Sequence, residues 1–321
     1  MKILVVGGAG YIGSHVVRAL LDNGFDPVVF DNLSTGHSWA VPNGRLFQGD
    51  LCDRTALDSV FAQKPFAAVM HFASFIQVGE SVQNPLKYYQ NNVSNTLNLL
   101  AAMQAAGVDK FVFSSTAAVY GTPNEIPIPE NSALHPDNPY GRSKMIIEDI
   151  LRDCNKAWGL NAACLRYFNA AGAHPSSEIG EAHNPESHLI PIILQVALGQ
   201  RDTVTINGTS YATPDGTCIR DYIHVCDLAE AHILALKALL SGDGSMTFNL
   251  GNGKGYSVQE VLDVCRQVTG HPIPAEMGPK REGDPARLVA SSEKIFGELG
   301  WKPRYTKLYE IVESAWCWHR K

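Results

Sequence analysis

The chain has 321 residues, of which 45% are hydrophobic and 18% are charged, and its formal net charge at pH 7 is −6. This length and composition predict a globular protein with one large domain or two closely packed domains, and they exclude a disordered chain. The acidic balance argues against a general nucleic-acid binder and against a binder of anionic membranes, although a local basic pocket is compatible with it.

Short apolar segments alternate with helical patterns through the first half of the chain. Segments rich in β-branched or aromatic residues predict strands at Lys2 to Val6, Pro27 to Asp31, Phe66 to His71, Lys110 to Ser115 and Ala162 to Tyr167. Apolar residues at helical spacing predict helices at Ile12 to Asn23, Thr55 to Gln63, Val93 to Ala106 and Tyr140 to Trp158. This alternation predicts an α/β fold with a doubly wound parallel sheet of the Rossmann type, covered by helices on both faces.

The composition changes after Asn169, where Pro, His, Gly and Ser become frequent and predict a loop-rich lobe. Further on, the patterns predict a strand at Met246 to Gly251 and helices at Cys226 to Leu240 and Ser257 to Thr269. Ser257 and Glu260 form a capping-box pair at the start of the last of these helices. We therefore expect a first domain at residues 1–170 and a smaller C-terminal α/β lobe at residues 171–321, with residues 217–251 returning to the first domain.

A glycine-rich segment, GGAGYIG, follows the first strand directly and opens the first helix. Its glycines Gly7, Gly10 and Gly13 have the spacing G-x-x-G-x-x-G, which lets backbone N–H groups approach a pyrophosphate at the positive end of the helix. A tight turn without a ligand would also use glycines. The position between a strand and an amphipathic helix favours a dinucleotide site.

Two aspartates follow the next strands of the predicted sheet. Asp31 ends the second strand, where a carboxylate would accept hydrogen bonds from the adenosine ribose and repel a 2′-phosphate, so NAD is favoured over NADP. The alternative is a turn or cap aspartate before Asn32. Asp50 follows a third strand and can accept from the adenine amino group while Leu51 packs on the ring, but a helix-capping aspartate before Asp53 is equally compatible.

Three residues with acid–base potential lie near the ends of later elements. Thr116 follows a strand, and Tyr140 and Lys144 are four residues apart, so they share one face of the predicted helix. Separately, they would read as a turn former and an ordinary helix start. Together on a dinucleotide fold, they predict oxidation of a secondary alcohol, in which a base takes the hydroxyl proton while hydride leaves for a nicotinamide.

The tyrosine needs help to act as a base, because a free tyrosine has a pKa of about 10 and is protonated at neutral pH. A lysine ammonium about 6 Å from the phenol would favour the phenolate by about two pKa units. We therefore expect Lys144 to lower the pKa of Tyr140, with the positive nicotinamide adding to the shift.

The cysteines and histidines indicate neither disulfides nor a metal centre. The seven cysteines are scattered and include no C-x-x-C pair, which predicts reduced thiols in a cytoplasmic protein. The histidines, such as His183 and His188, lack the spacing of zinc ligands, so we expect no bound metal. The N-terminus lacks the apolar core of a signal peptide, and no apolar run approaches membrane-spanning length.

Five motifs together resemble the extended short-chain dehydrogenase/reductase superfamily and, within it, the UDP-galactose 4-epimerase family: GGAGYIGSH, YGRSK, LRYFNAAGA, DGTCIRDYIHV and REGDPARLVAS. The resemblance runs from Met1 to the C-terminus. It implies an isomerase of galactose metabolism that keeps NAD bound, oxidises a UDP-sugar to a 4-ketose and returns hydride to the other face. The first domain would bind NAD and the C-terminal lobe the UDP-sugar. A homodimer is also implied, with Val93 to Ala106 and Tyr140 to Trp158 as candidate interface helices unless their apolar faces cover the sheet.

The resemblance also implies the role of individual residues. Tyr140 would be the acid/base, Lys144 would bind the nicotinamide ribose, and Thr116 would bind the sugar hydroxyl. The cofactor side would comprise Gly7, Gly10, Tyr11, Ile12, Gly13, Asp31, Asn32, Asp50, Leu51, Phe72, Ala73, Asn91, Ser114, Tyr140, Lys144 and Phe168. The UDP-sugar would be bound by Thr116, Tyr140, Asn169, His188, Leu189, Arg220, Tyr222, Arg281 and Asp284.

Arg220 and Arg281 agree with this assignment, because guanidinium groups suit bidentate recognition of a diphosphate. Asp284 could then accept from the uridine ribose hydroxyls. Without the resemblance, Arg220 beside Asp221 would read equally well as a surface ion pair.

Three positions depart from the best-known family pattern. Ile76 stands where some relatives have a lysine near the nicotinamide, which predicts weaker retention of NAD. His188 stands where an asparagine is frequent and is either a substrate contact or a loop histidine. Leu288 is intermediate between the bulky residues that restrict the sugar pocket and the small ones that admit N-acetylhexosamines, so acceptance of acetamido sugars stays open.

The alternatives are other nucleotide-sugar enzymes and a protein without catalysis. Sugar 4,6-dehydratases usually carry an acidic pair directly after the catalytic threonine, whereas Thr116 is followed by Ala117 and Ala118. A decarboxylase would likewise need further acid/base groups. A non-catalytic NAD sensor has no need of the intact set Thr116, Tyr140 and Lys144.

Overall fold

The computed structural model describes residues 1–63, 65–280 and 284–321. The chain divides into two compact units. The first comprises Met1–Gly121, Ala133–Arg166 and Ala229–Phe248, and the second comprises Thr122–Ser132, Tyr167–Leu228 and Asn249–Lys321.

The strands, in chain order, are β1 (Lys2–Val6), β2 (Asp26–Asp31), β3 (Leu46–Gln48), β4 (Phe66–His71), β5 (Lys110–Thr116), β6 (Asn161–Tyr167), β7 (Asn169–Ala171), β8 (Val204–Asn207), β9 (Ile219–His224), β10 (Met246–Leu250), β11 (Gly255–Ser257), β12 (Ala275–Gly278) and β13 (Arg287–Leu288). The α-helices are α1 (Tyr11–Asp22), α2 (Arg54–Phe61), α3 (Val78–Gln83), α4 (Pro85–Tyr88), α5 (Asn95–Ala106), α6 (Pro139–Trp158), α7 (Leu189–Ala197), α8 (Val225–Ser241), α9 (Val258–Thr269), α10 (Glu293–Leu299) and α11 (Leu308–His319). Short 3₁₀ helices lie at Ser38–Ala40 and Ala117–Val119, and Tyr89–Ser94 forms a π-helical turn.

The first unit is built on a seven-stranded sheet with the order β10-β6-β5-β4-β1-β2-β3. The pairs of β1 with β2, β1 with β4, β2 with β3 and β4 with β5 are parallel. The chain leaves β1 toward one edge and returns at β4 on the other side, so the strand order reverses between β1 and β4. A parallel sheet of this order carries its ligand site at the carboxyl ends of the strands beside that reversal. The predicted α/β fold with a doubly wound sheet is thereby confirmed.

The predicted elements of this unit are also found, with small changes at their ends. The helix predicted at Val93 to Ala106 is preceded by the π-helical turn, because the buried amide of Asn92 bonds outside the helix. Asn92 accepts from the backbone N–H of Phe75 at 2.9 Å and donates to the Ser143 hydroxyl at 3.0 Å. Single π turns inside helices often accompany functional sites.

Helices α5 and α6 bury apolar side chains in the core of the first unit. Leu99 and Met103 of α5 join Ile147 and Leu151 of α6 in one cluster with the sheet residue Phe111. The apolar faces of these helices were expected either to form a dimer interface or to cover the sheet, and the core shows that they cover the sheet.

The second unit is organised around β9. Strand β11 pairs with β9 in antiparallel orientation, whereas β13 and β7 pair with it in parallel. Helices α7, α9 and α11 contribute Ile193, Leu262 and Ile311 to its core. The predicted capping box is confirmed at the start of α9, where Ser257 and Glu260 bond reciprocally. Within the described part of the chain, every helix is too short or too polar to span a bilayer.

Candidate active site

The glycine turn connects β1 to α1 at the carboxyl end of the sheet. Gly7 has a φ of +79°, and a Cβ atom there would lie 2.4 Å from the backbone nitrogen of Ala73. A Cβ atom on Gly13 would lie 2.2 Å from the carbonyl oxygen of Gly7. Gly10, the N-cap of α1, has no side chain to cover the end of the helix. The turn thus presents backbone N–H groups at the positive end of α1, which suits a pyrophosphate.

Asp31 lies at the end of β2 beside this turn. Its carboxylate accepts from the backbone N–H of Ala9 at 2.9 Å and from that of Leu33 at 2.8 Å. Burial raises the pKa of Asp31, and the two N–H groups oppose this effect. The residue is therefore a turn aspartate that anchors the glycine turn, and its remaining lone pairs suit ribose hydroxyls.

Asp50 accepts from the backbone N–H of Cys52 at 2.9 Å and from the Asn32 amide at 2.7 Å. The Cys52 bond is the main cause of a lowered pKa at Asp50. Helix α2 is capped by Asp53, whose side chain accepts from Thr55 and Ala56, so the helix-cap alternative for Asp50 is wrong.

A groove runs along these residues in the first unit. Of the predicted cofactor residues, it is lined by Gly7, Gly10, Asp31, Asn32, Asp50, Leu51, Phe72, Ala73 and Asn91. Tyr11, Ile12 and Gly13 begin α1 next to it, and Ser114 lies in β5. The groove is also lined by residues that the sequence did not single out, among them Phe30, Ser34, Thr35 and Ser74. The cradle and its carboxylates fit the predicted dinucleotide.

The catalytic candidates come together where β5 ends and α6 begins. Pro139 starts α6, and the Asn138 side chain caps it by accepting from the Gly141 backbone N–H at 2.9 Å. This start buries Tyr140, and the Thr116 side chain acts to lower the pKa of its hydroxyl. Lys144 lies one turn further along α6, with its side chain also buried. The predicted set of Thr116, Tyr140 and Lys144 therefore shares one buried region.

The lysine ammonium has specific partners in the first unit. Lys144 Nζ donates to the Ser74 hydroxyl at 2.7 Å and to the Ser114 carbonyl oxygen at 2.8 Å, and it lies 4.9 Å from the ring centroid of Phe113. Ser74 was missed by the sequence reasoning, although its place just after β4, at the carboxyl edge of the sheet, was a usable signal.

The pKa of Tyr140 differs from the expectation based on the lysine alone. Burial raises the pKa of Tyr140, and the hydrogen bond to Thr116 opposes the rise. Burial also lowers the pKa of Lys144 to about 7, although the Glu148 carboxylate acts in the other direction. Burial removes the phenol and the amine from water and disfavours the charged form of each, an effect that the lysine ammonium alone does not include. A positively charged group that enters this site would stabilise the phenolate form of Tyr140 and lower its pKa.

A second network missed by the sequence reasoning lies behind the lysine. Glu148 and Arg166 form a bidentate buried ion pair, with N–O distances of 3.0 and 2.5 Å. Glu148 also accepts from the Ser115 hydroxyl at 2.5 Å, and Arg166 donates to the Tyr120 hydroxyl at 2.9 Å. Ser115 is directly before Thr116, so this network holds the end of β5 against α6.

In the second unit, Arg220 of β9 is paired with Asp284 through a short contact between guanidinium and carboxylate. The Tyr211 hydroxyl also donates to Asp284, at 3.2 Å. Asp221 instead accepts from backbone N–H groups of Asn252, Gly253 and Ala290, and burial raises its pKa to about 7. The alternative of an ion pair between Arg220 and Asp221 is therefore wrong.

Other predicted substrate residues lie on the strands beside Arg220. Asn169 of β7 is the register partner of Tyr222, and Leu288 of β13 is the register partner of Arg220. Tyr222 is buried, and Arg220 shares its side of the strand because the two are two residues apart. Phe168, predicted for the cofactor side, precedes β7 in this unit. Arg281 lies outside the described residues.

His188 and Leu189 lie where α7 begins, and His188 is the N-cap residue of that helix. His188 Nδ1 lies 2.7 Å from a Glu181 oxygen and 3.2 Å from a Glu186 oxygen, and His183 Nδ1 lies 3.0 Å from Glu181. Burial alone would lower the pKa of His188, but the two carboxylates outweigh it and raise the pKa to about 10. Spacing along the sequence did not anticipate this cluster.

Comparison with known proteins agrees with this geometry. A model of the NAD dependent epimerase/dehydratase family matches residues 3–251. The UDP-glucose 4-epimerase of Halalkalibacterium halodurans is 56% identical over 321 residues, which cover 100% of this chain and 96% of the relative.

Two solved structures are also similar over nearly their whole length. The UDP-glucose 4-epimerase from Brucella ovis in complex with NAD has a TM-score of 0.96 at 46% identity, covering 98% of this chain and 97% of that one. The Bifidobacterium longum enzyme in complex with NAD⁺ and UDP has a TM-score of 0.95 at 39% identity, covering 100% of this chain and 98% of that one. The chain therefore belongs to the NAD dependent epimerase/dehydratase family, and the resemblance that its motifs indicated is confirmed.

Proposed function

We propose that this protein is an isomerase that reversibly converts UDP-galactose into UDP-glucose by inverting C4 through a 4-keto intermediate. The observation that carries the proposal is the shared burial of Thr116, Tyr140 and Lys144, with Tyr140 and Lys144 one helical turn apart on α6. This arrangement provides a proton acceptor and a hydroxyl-binding group at the carboxyl edge of a dinucleotide-type sheet. The similar enzymes named above are UDP-glucose 4-epimerases, and their similarity extends over nearly the full length of this chain.

Tyr140 takes the proton from the C4 hydroxyl and later returns it, while Thr116 holds the sugar oxygen. Bound NAD would supply the hydride acceptor for C4 and the hydride donor for reduction from the opposite face of the sugar. Lys144 stabilises the phenolate of Tyr140, and its bonds to Ser74 and to the Ser114 carbonyl oxygen fix the position of the ammonium. Because burial opposes both charged forms, the proton transfer depends on the charge of the site's other occupants.

The glycine turn would hold the pyrophosphate of NAD, and Asp31 would hold the adenosine ribose. A carboxylate at Asp31 disfavours the 2′-phosphate of NADP by like-charge repulsion. Asp50 and Leu51 would contact the adenine. The π-helical turn places Asn91 in the lining of the same groove, which supports its proposed cofactor contact.

The second unit would bind the UDP-sugar. Arg220 offers a guanidinium to the diphosphate, and Asp284 offers a carboxylate to the uridine ribose. Asn169 and Tyr222 are paired on adjacent strands beside Arg220, which supports a shared role. We assign Arg281, Leu189 and His188 to the same ligand from the family resemblance; His188 would use Nε2, since its Nδ1 faces Glu181 and Glu186.

A dehydratase is the second candidate, and the residues after Thr116 argue against it. Ala117 and Ala118 form the 3₁₀ helix there with Val119, so this segment supplies no carboxyl group for elimination of water. A non-catalytic sensor would have no use for the buried set of Thr116, Tyr140 and Lys144.

Incubating the purified protein with UDP-galactose, without added NAD, tests the proposal. The sugar nucleotides are separated by chromatography while absorbance reports NADH. We expect UDP-glucose to appear with no net NADH. A dehydrated or decarboxylated product, or no conversion even with added NAD, would overturn the assignment. Tyr140→Phe protein prepared in parallel controls for contaminating epimerase, and UDP-N-acetylgalactosamine as a second substrate decides whether Leu288 admits acetamido sugars.

We also propose a cytoplasmic homodimer. Seven thiol side chains suit a reducing compartment. Val82, Leu86 and Leu97 of helices α3 to α5 are 61%, 81% and 46% exposed, which supports an interface on that face. Sedimentation velocity of the wild-type protein and of Leu86→Glu tests the dimer, which the variant should weaken.

A further inference from the structure

Four side chains with metal-binding groups converge in the segment that leads into α7. They are Glu181, His183, Glu186 and His188, and one ligand atom from each lies within 4.8 Å of the other three. The two carboxylate side chains are 4% and 2% exposed. Carboxylates so deeply buried require compensation by positive charge.

The distances within the cluster match those around a small divalent ion. Four N and O ligands about 2.1 Å from a tetrahedral zinc ion lie about 3.4 Å from one another. The Nδ1 atoms of His183 and His188 lie 3.0 and 2.7 Å from Glu181 Oε1, and they lie 3.8 and 3.2 Å from Oε2 and Oε1 of Glu186, respectively. These four distances bracket the tetrahedral edge, so small side-chain movements would seat an ion at the centre.

We propose that Glu181, His183, Glu186 and His188 form a structural site for zinc or a similar divalent transition-metal ion. Two neutral imidazoles and two carboxylates give a net charge that a divalent cation neutralises. Imidazole nitrogens favour zinc over magnesium or calcium, which prefer all-oxygen ligands. All four positions of a tetrahedron are taken by protein groups, so the ion has no open position for substrate and serves the fold.

The surroundings of the four ligands support an ordering role. The Glu186 carboxylate also accepts from the backbone N–H groups of Ser187 and His188, at 2.7 and 2.9 Å, which fixes its orientation. The Glu181 carbonyl oxygen accepts from the indole of Trp318 in α11 at 2.8 Å. The ion would therefore join the segment 181–188 to the start of α7 and to the region of α11 in the second unit.

The competing account has no metal: protonated histidines would pair with the two carboxylates. The two accounts differ in what stabilises the protein. A metal site responds to the concentration of the ion, whereas a set of ion pairs responds only to pH.

The test uses the full-length protein, stripped with a chelator, reloaded with zinc sulfate, and freed of excess zinc by gel filtration. Mass spectrometry of the metal is expected to find about one zinc ion per chain. Zinc is expected to raise the thermal unfolding midpoint by about 3–6 °C. Glu181→Gln and His183→Asn should each lose at least nine-tenths of the bound zinc and most of this shift, by ligand removal.

Glu178→Gln, three residues before the first ligand, and His271→Asn, on the surface, are matched controls that should keep the metal. If the ligand variants do not fold, cobalt(II) loading of the wild-type protein still decides, because a tetrahedral site gives strong visible absorption. Zinc below about a tenth of an equivalent in the wild-type protein, or equal zinc in ligand and control variants, would overturn the proposal.

Discussion

Lys144 and Glu148 lie one helical turn apart on α6, and both side chains are almost fully buried, at 2% and 3% exposure. The Glu148 carboxylate opposes the effect of burial on the pKa of Lys144, which is lowered to about 7. Arg166 in turn pairs with Glu148 through two hydrogen bonds. Glu148 is thus a positioning residue, which influences the charge of the lysine without touching the proposed substrate.

Glu148→Gln is expected to lower the pKa of Lys144 further, because burial would then act without the carboxylate. The ammonium that supports the Tyr140 phenolate would be lost at lower pH than in the wild-type protein. We expect the alkaline limb of kcat/KM against pH to move down by about one unit. Asp149→Asn removes an exposed carboxylate from the same helix and should leave the limb in place. An unmoved limb in Glu148→Gln would refute the role of Glu148.

The buried pair of Glu148 and Arg166 predicts non-additive effects on stability. Arg166→Met leaves an uncompensated buried carboxylate and should lower the free energy of unfolding by about 3–5 kcal/mol. The double variant Glu148→Gln with Arg166→Met removes both charges and should recover a large part of that loss. Urea unfolding of the wild-type protein, the two single variants and the double variant measures these losses in the free energy of unfolding. A loss in the double variant equal to the sum of the two single losses would contradict the prediction.

Tyr140→Phe removes the proposed acid/base and keeps the shape of the ring. We expect kcat to fall by about 10²–10⁴-fold, since this is what general acid–base catalysis contributes. Binding of UDP, measured by calorimetry, should stay within a few-fold of the wild-type value. Near-normal turnover would show that another group takes the proton.

Arg220→Lys replaces a planar guanidinium by a point charge at the proposed diphosphate site. Because bidentate recognition is lost, KM for UDP-galactose should rise about tenfold or more while kcat changes little. Arg201→Lys, on the surface of the same unit, is the matched control. An unchanged KM in Arg220→Lys would place the diphosphate elsewhere.

Asp31→Asn removes the charge that disfavours NADP and keeps an oxygen that can accept from the Ala9 N–H. The ratio of NADP to NAD affinity should rise about tenfold, which corresponds to about 1.4 kcal/mol. Fluorescence titration of each cofactor measures the ratio, with Asp22→Asn on the surface of α1 as the control. A constant ratio would mean that the carboxylate does not select the cofactor.

The fold was largely predictable because strands buried on both faces consist of continuous apolar residues, as in β1 and β4. The proximity of Tyr140 and Lys144, the proposed catalytic pair, was predictable because both residues lie in one helix. The partner of the lysine was not, because Ser74 and Lys144 are separated by 70 positions and meet only after the sheet has formed. The raised pKa of Tyr140 was not predictable for a similar reason, since the burial that causes it depends on the whole core.

The cluster of Glu181, His183, Glu186 and His188 was missed for a different reason. Helical or strand periodicity tells which side chains share a face, but these four lie in an irregular segment before α7. Their convergence depends on the path of the backbone, which spacing does not reveal.

The close approach of Gly7 to Ala73 has a consequence for how this protein can diverge. Any side chain at Gly7 would collide with the neighbouring backbone, so mutation there removes the pyrophosphate cradle and leaves no intermediate form for selection to improve. Asp31 holds the turn by accepting a hydrogen bond from the Ala9 N–H, and an asparagine oxygen can accept the same bond, so this replacement alters the ribose end and keeps the cradle. Under the proposed function, the pyrophosphate end of the cofactor site tolerates no substitution at Gly7, so that new cofactor preferences would arise at the ribose end.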